Sequence, residues 1–340
     1  MLSLTYFFSK IDYDQSETAI NLQRHCDHNG LMFVDICIDN NKELLDKYGT
    51  KTPTVCIGPY VLHNPISETD LNVATQSALS RQERLEASGD EAYKKRVKNG
   101  VSINNLDRFS YFFSRFYVII LSLILSVFIA LPFLAPVLEK NGHITSANII
   151  YQVYRVVCHQ LAFRSFFLFG EQAIYPRELA NIDNLITYEE ITNSTVIDLE
   201  FARDWVGDSI LGFKVAICER DVAIYGSLAL FGFIFQLSGK RIKQLPWYLW
   251  FIVALIPIAL DGVSQIPSLS EGWPAWVPMR ESTPFLRVLT GALFGAGTGW
   301  FMYPLMEESM KETRITLHRK FAIIKKINQT SKSVTDEATH

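Results

Sequence analysis

The sequence predicts an α-helical membrane bundle preceded by an N-terminal α/β domain. Three observations carry this expectation. Four long runs without charge fall between residues 116 and 306. Residues 1–80 alternate between short apolar strands and helices. The composition is mixed, at 49% hydrophobic with a mean hydropathy of +0.12, yet 20% charged. In a chain of 340 residues that mixture implies lipid-facing and aqueous segments kept apart. It excludes a disordered, collagen-like or disulfide-dense chain. A net charge of −3 provides no global basic field for nucleic acid.

The N-terminal elements follow in order. Leu2–Phe8 is a strand, Glu17–Asn29 a helix stopped by Gly30, and Leu31–Ile38 an alternating strand. Asn41–Tyr48 is a short helix ended by Gly49, and Thr54–Ile57 a buried strand. A turn at Gly58-Pro59, a short strand and a helix over Glu68–Leu79 complete a βαβαββα order. Thr52-Pro53 stands just before a buried strand, where X-Pro bonds are often cis. Residues 81–114 are a charged connector.

The membrane domain spans 115–306. Its uncharged runs are Phe116–Leu138, Val222–Gly239, Gln244–Leu260 and Val288–Met306. A bilayer core needs about 20 apolar residues, so these read as four spanning helices. The last run places Gly291, Gly295 and Gly299 four apart, a spacing that suits either close helix packing or a merely softened helix. Ile144–Tyr154 is shorter, and Arg155, His159 and Arg164 interrupt the apolar pattern after it. The segment 144–170 is therefore expected to be one interfacial or re-entrant helix rather than a span. Lys240, Arg241 and Lys243 mark a cytoplasmic turn, as do the basic residues before the first span and after the last. Both termini are then cytoplasmic in a multi-pass cell-membrane protein without a signal peptide. Residues 307–340 form a cytoplasmic tail, disordered from Ser331.

Polar residues converge on the outer side of this topology. Cys158, His159, Gln160 and Arg164 lie on the interfacial segment. Cys218, Arg220 and Asp221 open the second span, Asp261 and Gln265 close the third, and Arg287 opens the fourth. Ionisable groups near lipid are costly, which makes them candidates for a site. Cys158, His159, Cys218 and Asp221 offer thiolate, imidazole and carboxylate donors suited to zinc or another divalent metal. His159 and Asp261 are candidate catalytic groups. Arg164, Arg220, Arg287, Gln160 and Gln265 are candidates for holding an anionic, lipid-like substrate. The blander alternatives stay open: interfacial snorkelling of the arginines, a structural ion pair of Asp261 with Arg220 or Arg287, and a Cys158–Cys218 disulfide. Gly-rich phosphate loops, His-Glu-x-x-His pairs and Gly-x-Ser-x-Gly elbows are missing from the sequence.

Two resemblances attach to these residues. Asp35-Ile-Cys-Ile-Asp39, Glu43-Leu-Leu-Asp-Lys-Tyr48-Gly49, Thr52-Pro53-Thr54-Val55 and Pro65-Ile-Ser67-Glu68 resemble the glutaredoxin-like members of the thioredoxin fold. That resemblance implies a Cys-x-x-Cys pair opening the first helix, where this chain has Tyr13 and Ser16. A redox-dead domain used for docking a cytoplasmic protein partner or for regulation is expected, with Cys26, Cys37 and Cys56 as buried apolar groups. Val157-Cys158-His159-Gln160, Arg164-Ser165, Cys218-Glu-Arg220-Asp221, Asp261-Gly262-Val-Ser-Gln265 and Arg287-Val-Leu-Thr290-Gly291 resemble the motifs of an uncharacterised family of prokaryotic integral membrane proteins. The resemblance implies a Cys at position 221, where this chain has Asp. It also implies a shorter connection than the acidic insertion here, about 176–212, which would cap the site from outside.

Three functions are compatible with this reading. The first is a metal-binding protein or enzyme with its site at the outer face. The second is a non-enzymatic transporter or binding protein for an anionic lipid or solute, which would need a homo-oligomer. The third is a membrane thiol–disulfide protein.

Overall fold

The structure is a computed structural model that describes residues 2–10, 15–194, 196–270, 272–274 and 276–337. The chain divides into two compact units, residues 1–115 with 308–340, and residues 116–307.

In the first unit the order is β1 (Ser3–Phe8), α1 (Gln15–Asn29), β2 (Met32–Cys37), α2 (Lys42–Tyr48), β3 (Thr54–Ile57), β4 (Tyr60–His63), α3 (Glu68–Ala87) and α4 (Glu91–Gly100). The strands form one sheet in the order β2-β1-β3-β4. β1 runs parallel to β2, while β1 with β3 and β3 with β4 are antiparallel. Asn41 Oδ1 accepts from the Glu43 and Leu44 amides, and Ser67 Oγ from that of Asp70, so α2 and α3 begin where capping chemistry places them. The Thr52–Pro53 bond is cis.

Alternation along the strands feeds two apolar clusters. Leu4, Tyr6, Val55 and Ile57 pack with Leu22 and Cys26 of α1 and with Leu71, Ala74 and Ala78 of α3. Phe7, Val34, Ile36 and Cys56 pack with Leu44 and Tyr48 of α2 and with Ile315. Ile315 corrects the expected tail. Residues 307–337 are helical, continuing the long helix that begins at Pro284, and residues 338–340 lie outside the described residues. Arg314 Nε donates to Glu43 (2.5 Å) and Arg319 Nε to Thr5 Oγ1 (3.0 Å).

The second unit contains the apolar part of α5 (Asn105–Lys140), α6 (Ile144–Tyr154), β5 (Ser165–Leu168), α7 (Tyr188–Thr192), α8 (Leu199–Asp204), β6 (Gly207–Asp208), β7 (Gly212–Cys218) and α9 (Glu219–Leu237). α10 (Trp247–Trp250) passes through a π-helical stretch, Phe251–Leu255, into α11 (Ile256–Val263). α12 (Pro284–Glu337), the last described element, belongs to this unit as far as Glu307.

Two of the four expected spans, α5 and α9, are helices long and apolar enough to cross a bilayer. The apolar helix over Trp247–Val263 is shorter. The 288–306 stretch of α12 is helical, but its glycines, threonines, Trp300, Tyr303 and Pro304 dilute its apolar character. Gly291, Gly295 and Gly299 have a packing role against α9. A Cβ on Gly295 would meet Ile224 O at 2.0 Å and Ser227 Oγ at 2.2 Å, and one on Gly291 would meet Arg220 O at 2.6 Å. Backbones this close tolerate only hydrogen at these positions. Tyr117 donates to Tyr303 O (3.0 Å), tying α5 to the same helix.

The expected interfacial helix over 144–170 is corrected. It ends at Tyr154, and β5 forms from Ser165. β5 pairs antiparallel with β7, matching Ser165 to Cys218 and Leu168 to Phe213. Phe163, Phe166 and Phe167 suit a short strand as well as a helix, and an apolar run this short does not distinguish the two. Gln160, in the connection between α6 and β5, adopts a positive φ of 54°. The insertion shares an aromatic core with the segment before it, with Tyr188 edge-on to Phe163 (5.3 Å) and, beside them, Tyr175 edge-on to Phe167 (5.0 Å).

Candidate functional site

The β5–β7 ladder positions the cysteines. Cys218 ends β7 and caps α9, while Cys158 lies in the turn after α6. The Cys218 amide donates to Cys158 Sγ at 3.3 Å, and Cys218 Sγ to Asp221 Oδ2 at 3.2 Å. One ligand atom from each of Cys158, Cys218 and Asp221 lies within 4.8 Å of the others. Both cysteines are free thiols. The hydrogen bond to Cys158 and burial hold the Cys218 thiol well above its ordinary pKa. A cation would have to displace that proton.

These three residues line a cavity of about 520 Å³. Also on its wall are His159, Arg164, Arg203, Arg220, Gln265 and Arg287. His159 is solvent-exposed and stands outside the close cluster of three ligand atoms.

Buried ion pairs support the wall. Glu281 is fully enclosed. It accepts from Arg164 Nε (2.7 Å) and Nη2 (2.9 Å), contacts Arg287 Nη2, and lies 3.6 Å from Arg177. Arg287, 1% exposed, also donates to Glu219 (3.2 Å) and Phe163 O (3.1 Å). Asp261 accepts from Arg220 (2.5 Å), Arg280 (3.1 Å) and Ser282 (2.9 Å). Burial lowers the pKa of Arg164, and Glu281 acts against that shift. Charges this deep persist because each guanidinium meets a carboxylate with further hydrogen bonds.

The expected residues therefore separate. Cys158, His159, Cys218, Asp221, Arg164, Arg220, Gln265 and Arg287 share one cavity. Asp261 is 4% exposed and sits behind that wall as the counter-ion of Arg220 and Arg280, which is the structural ion pair left open by the sequence. Gln160 turns into the protein and donates to Tyr151 O (2.9 Å) and Ala216 O (2.8 Å).

Sequence reasoning missed Glu219, Glu281, Arg280, Arg177 and Arg203. The arginine-rich outer ends of the spans implied buried acids nearby, and that was the available signal. Lys214 is also buried, with Nζ donating to Gln160 O (2.9 Å) and Arg203 O (2.7 Å). Burial drops its pKa from 10.5 to about 7.

A family model described as a predicted membrane protein of the type DUF2085 matches residues 209–301. An uncharacterized protein of Methanocaldococcus jannaschii is 26% identical over 203 residues, which cover 57% of this chain and 94% of that relative. No solved structure matches the chain. With α5 and α9 long and apolar enough to cross a bilayer, these findings describe a membrane protein, whose apolar helices contact lipid.

Proposed function

We propose that this multi-pass membrane protein holds a divalent metal, zinc by its donor set, in a cavity at the outer face of the membrane. The observation that carries the reading is the trio of Cys158, Cys218 and Asp221, whose ligand atoms lie within 4.8 Å of one another on the wall of that cavity. Two thiolates and a carboxylate are suitable zinc donors, and three protein ligands leave a position for water or substrate. His159, exposed on the same cavity, is the imidazole available as a fourth ligand or a base. In this reading four segments span the membrane, with both termini cytoplasmic. The basic turn Lys240-Arg241-Ile242-Lys243 supports that orientation.

The N-terminal unit is read as a thioredoxin-like domain that docks a cytoplasmic protein. Its sheet order β2-β1-β3-β4, with β1 parallel to β2 and antiparallel to β3, supports the fold part of this reading. Tyr13 lies outside the described residues. Ser16 falls within α1, and neither residue type can exchange a disulfide.

Metal analysis of the purified full-length protein tests the central reading. About one zinc per chain is expected, with loss in Cys158→Ser and Cys218→Ser. Metal-free protein whose Cys158 and Cys218 resist alkylation until reduced would instead favour the disulfide reading. Zinc that is indifferent to both substitutions would refute the site.

A further inference from the structure

The cavity wall contains hydrogen-bonding groups that the described residues leave unsatisfied. Among the described residues, Arg220 Nε and Arg287 Nε are buried donors without a partner, and Gln265 Oε1 is a buried acceptor without one. All three belong to residues that line the cavity beside the two thiols. Buried polar groups are nearly always paired, so three orphans around one cavity indicate a missing ligand. The two donors call for an oxygen acceptor, and the acceptor calls for a hydroxyl or amine.

The charge on the wall is equally specific. Arg164, Arg220 and Arg287 are each neutralised from behind, by Glu281, Asp261 and Glu219. Arg203, on α8 of the acidic insertion, has no carboxylate partner among the described residues. Its Nε donates only to His159 O (3.2 Å), and its own carbonyl is held by the buried Lys214. Glu200 on the same helix is exposed on the cavity wall. Leu161, Leu199 and Leu269 add an apolar side to the cavity. Its volume of about 520 Å³ is far larger than an inorganic anion requires.

We propose that the cavity binds a phosphate ester carrying a free hydroxyl, with Arg203 of the insertion as the group that reads its charge and Gln265 as the group that reads its hydroxyl. The ester could be a soluble phosphate or the headgroup of a lipid. The assignment rests on the cavity described for the metal reading, but none of its hydrogen bonds passes through a metal. The insertion thereby sets what the site accepts, beyond shielding it from the outside.

Calorimetric titration of the full-length protein in detergent tests this with four probes: glycerol 3-phosphate, propyl phosphate, inorganic phosphate and a short-chain phosphatidylglycerol. Glycerol 3-phosphate is expected to bind saturably and about tenfold more tightly than propyl phosphate, because only the former satisfies the orphan acceptor. Arg203→Gln should weaken binding at least about tenfold, and Arg203→Lys should restore most of it. Saturation by phosphatidylglycerol alone identifies the source as a lipid headgroup, and saturation by both esters a soluble one.

Absence of saturable binding by both glycerol 3-phosphate and phosphatidylglycerol overturns the proposal. So does equal affinity for propyl phosphate, or wild-type affinity in Arg203→Gln. The wild-type probe series decides the question even where a variant fails to fold. Zinc content measured on the same samples separates the two readings. Zinc without ester binding refutes the ligand assignment alone, and ester binding without zinc refutes the metal reading alone.

Discussion

Replacing Glu281 by glutamine keeps its shape and removes one buried negative charge. Its carboxylate is fully enclosed and holds Arg164 through two hydrogen bonds, and it also contacts Arg287, whose side chain is 2% exposed. Arg287 keeps Glu219 at 3.2 Å, but Arg164 keeps no carboxylate among the described residues. Leaving a buried cation uncompensated costs about 3–5 kcal/mol. For a unit the size of residues 116–307, that corresponds to a melting point lower by about 10 °C. Thermal unfolding of the detergent-solubilised protein measures this. The double variant Glu281→Gln/Arg164→Met should recover part of the loss, because it removes the stranded charge as well as its partner. A coupling of about 1 kcal/mol or more in that cycle is expected. Glu281→Gln melting within about 2 °C of wild type, or strictly additive effects, would show that the ion pair does not support the cavity wall.

Gly295→Leu drives a side chain into the Ile224 carbonyl and should prevent α9 and α12 from packing, read as loss of a monodisperse species on gel filtration, whereas Gly226→Leu, with open space at its Cβ, should behave as wild type. Lys214 has a folded pKa of about 7 against an ordinary 10.5. Between these values the unfolded chain binds one more proton, so stability rises with pH at up to about 1.4 kcal/mol per unit. Below about pH 7 both states are protonated and the slope disappears. Melting curves from pH 6 to 10 should show this rise, and Lys214→Met should flatten it; an unchanged slope in that variant would assign it to other groups.

Much of the first unit was legible because its signals are local. Apolar alternation marks β1 and β3, Gly30 and Gly49 stop helices, and Asn41 and Ser67 have capping geometry that can be read from residue type. The end of the chain was less legible: disorder is expected from Ser331, but the helix continues to Glu337. Ile315 is the kind of residue such a reading passes over, one apolar position whose partners are more than two hundred residues away. In the second unit the polar convergence was visible, since charges at the ends of apolar runs have few explanations. Its geometry was not visible. Lys214 sits in the middle of β7 and disguises a buried strand, and Glu281 lies in an irregular stretch with no periodicity to fix its direction. Arg203 was hidden in an insertion read only as a cap, because a charge on a short helix carries no sign of what it faces.

The pairing of Leu168 with Phe213 places the two ends of the insertion on neighbouring strands. Chain inserted between adjacent strand positions closes its loop at an entropy cost that grows only slowly with length. The segment between them can therefore be lengthened, shortened or exchanged while the ladder still holds Cys158 against Cys218. Such a hairpin acts as a splice point. Evolution, or a protein engineer, can change the cover and keep the floor as long as the new segment still meets Phe163, Lys214 and Glu281, the points where the present one rests on it.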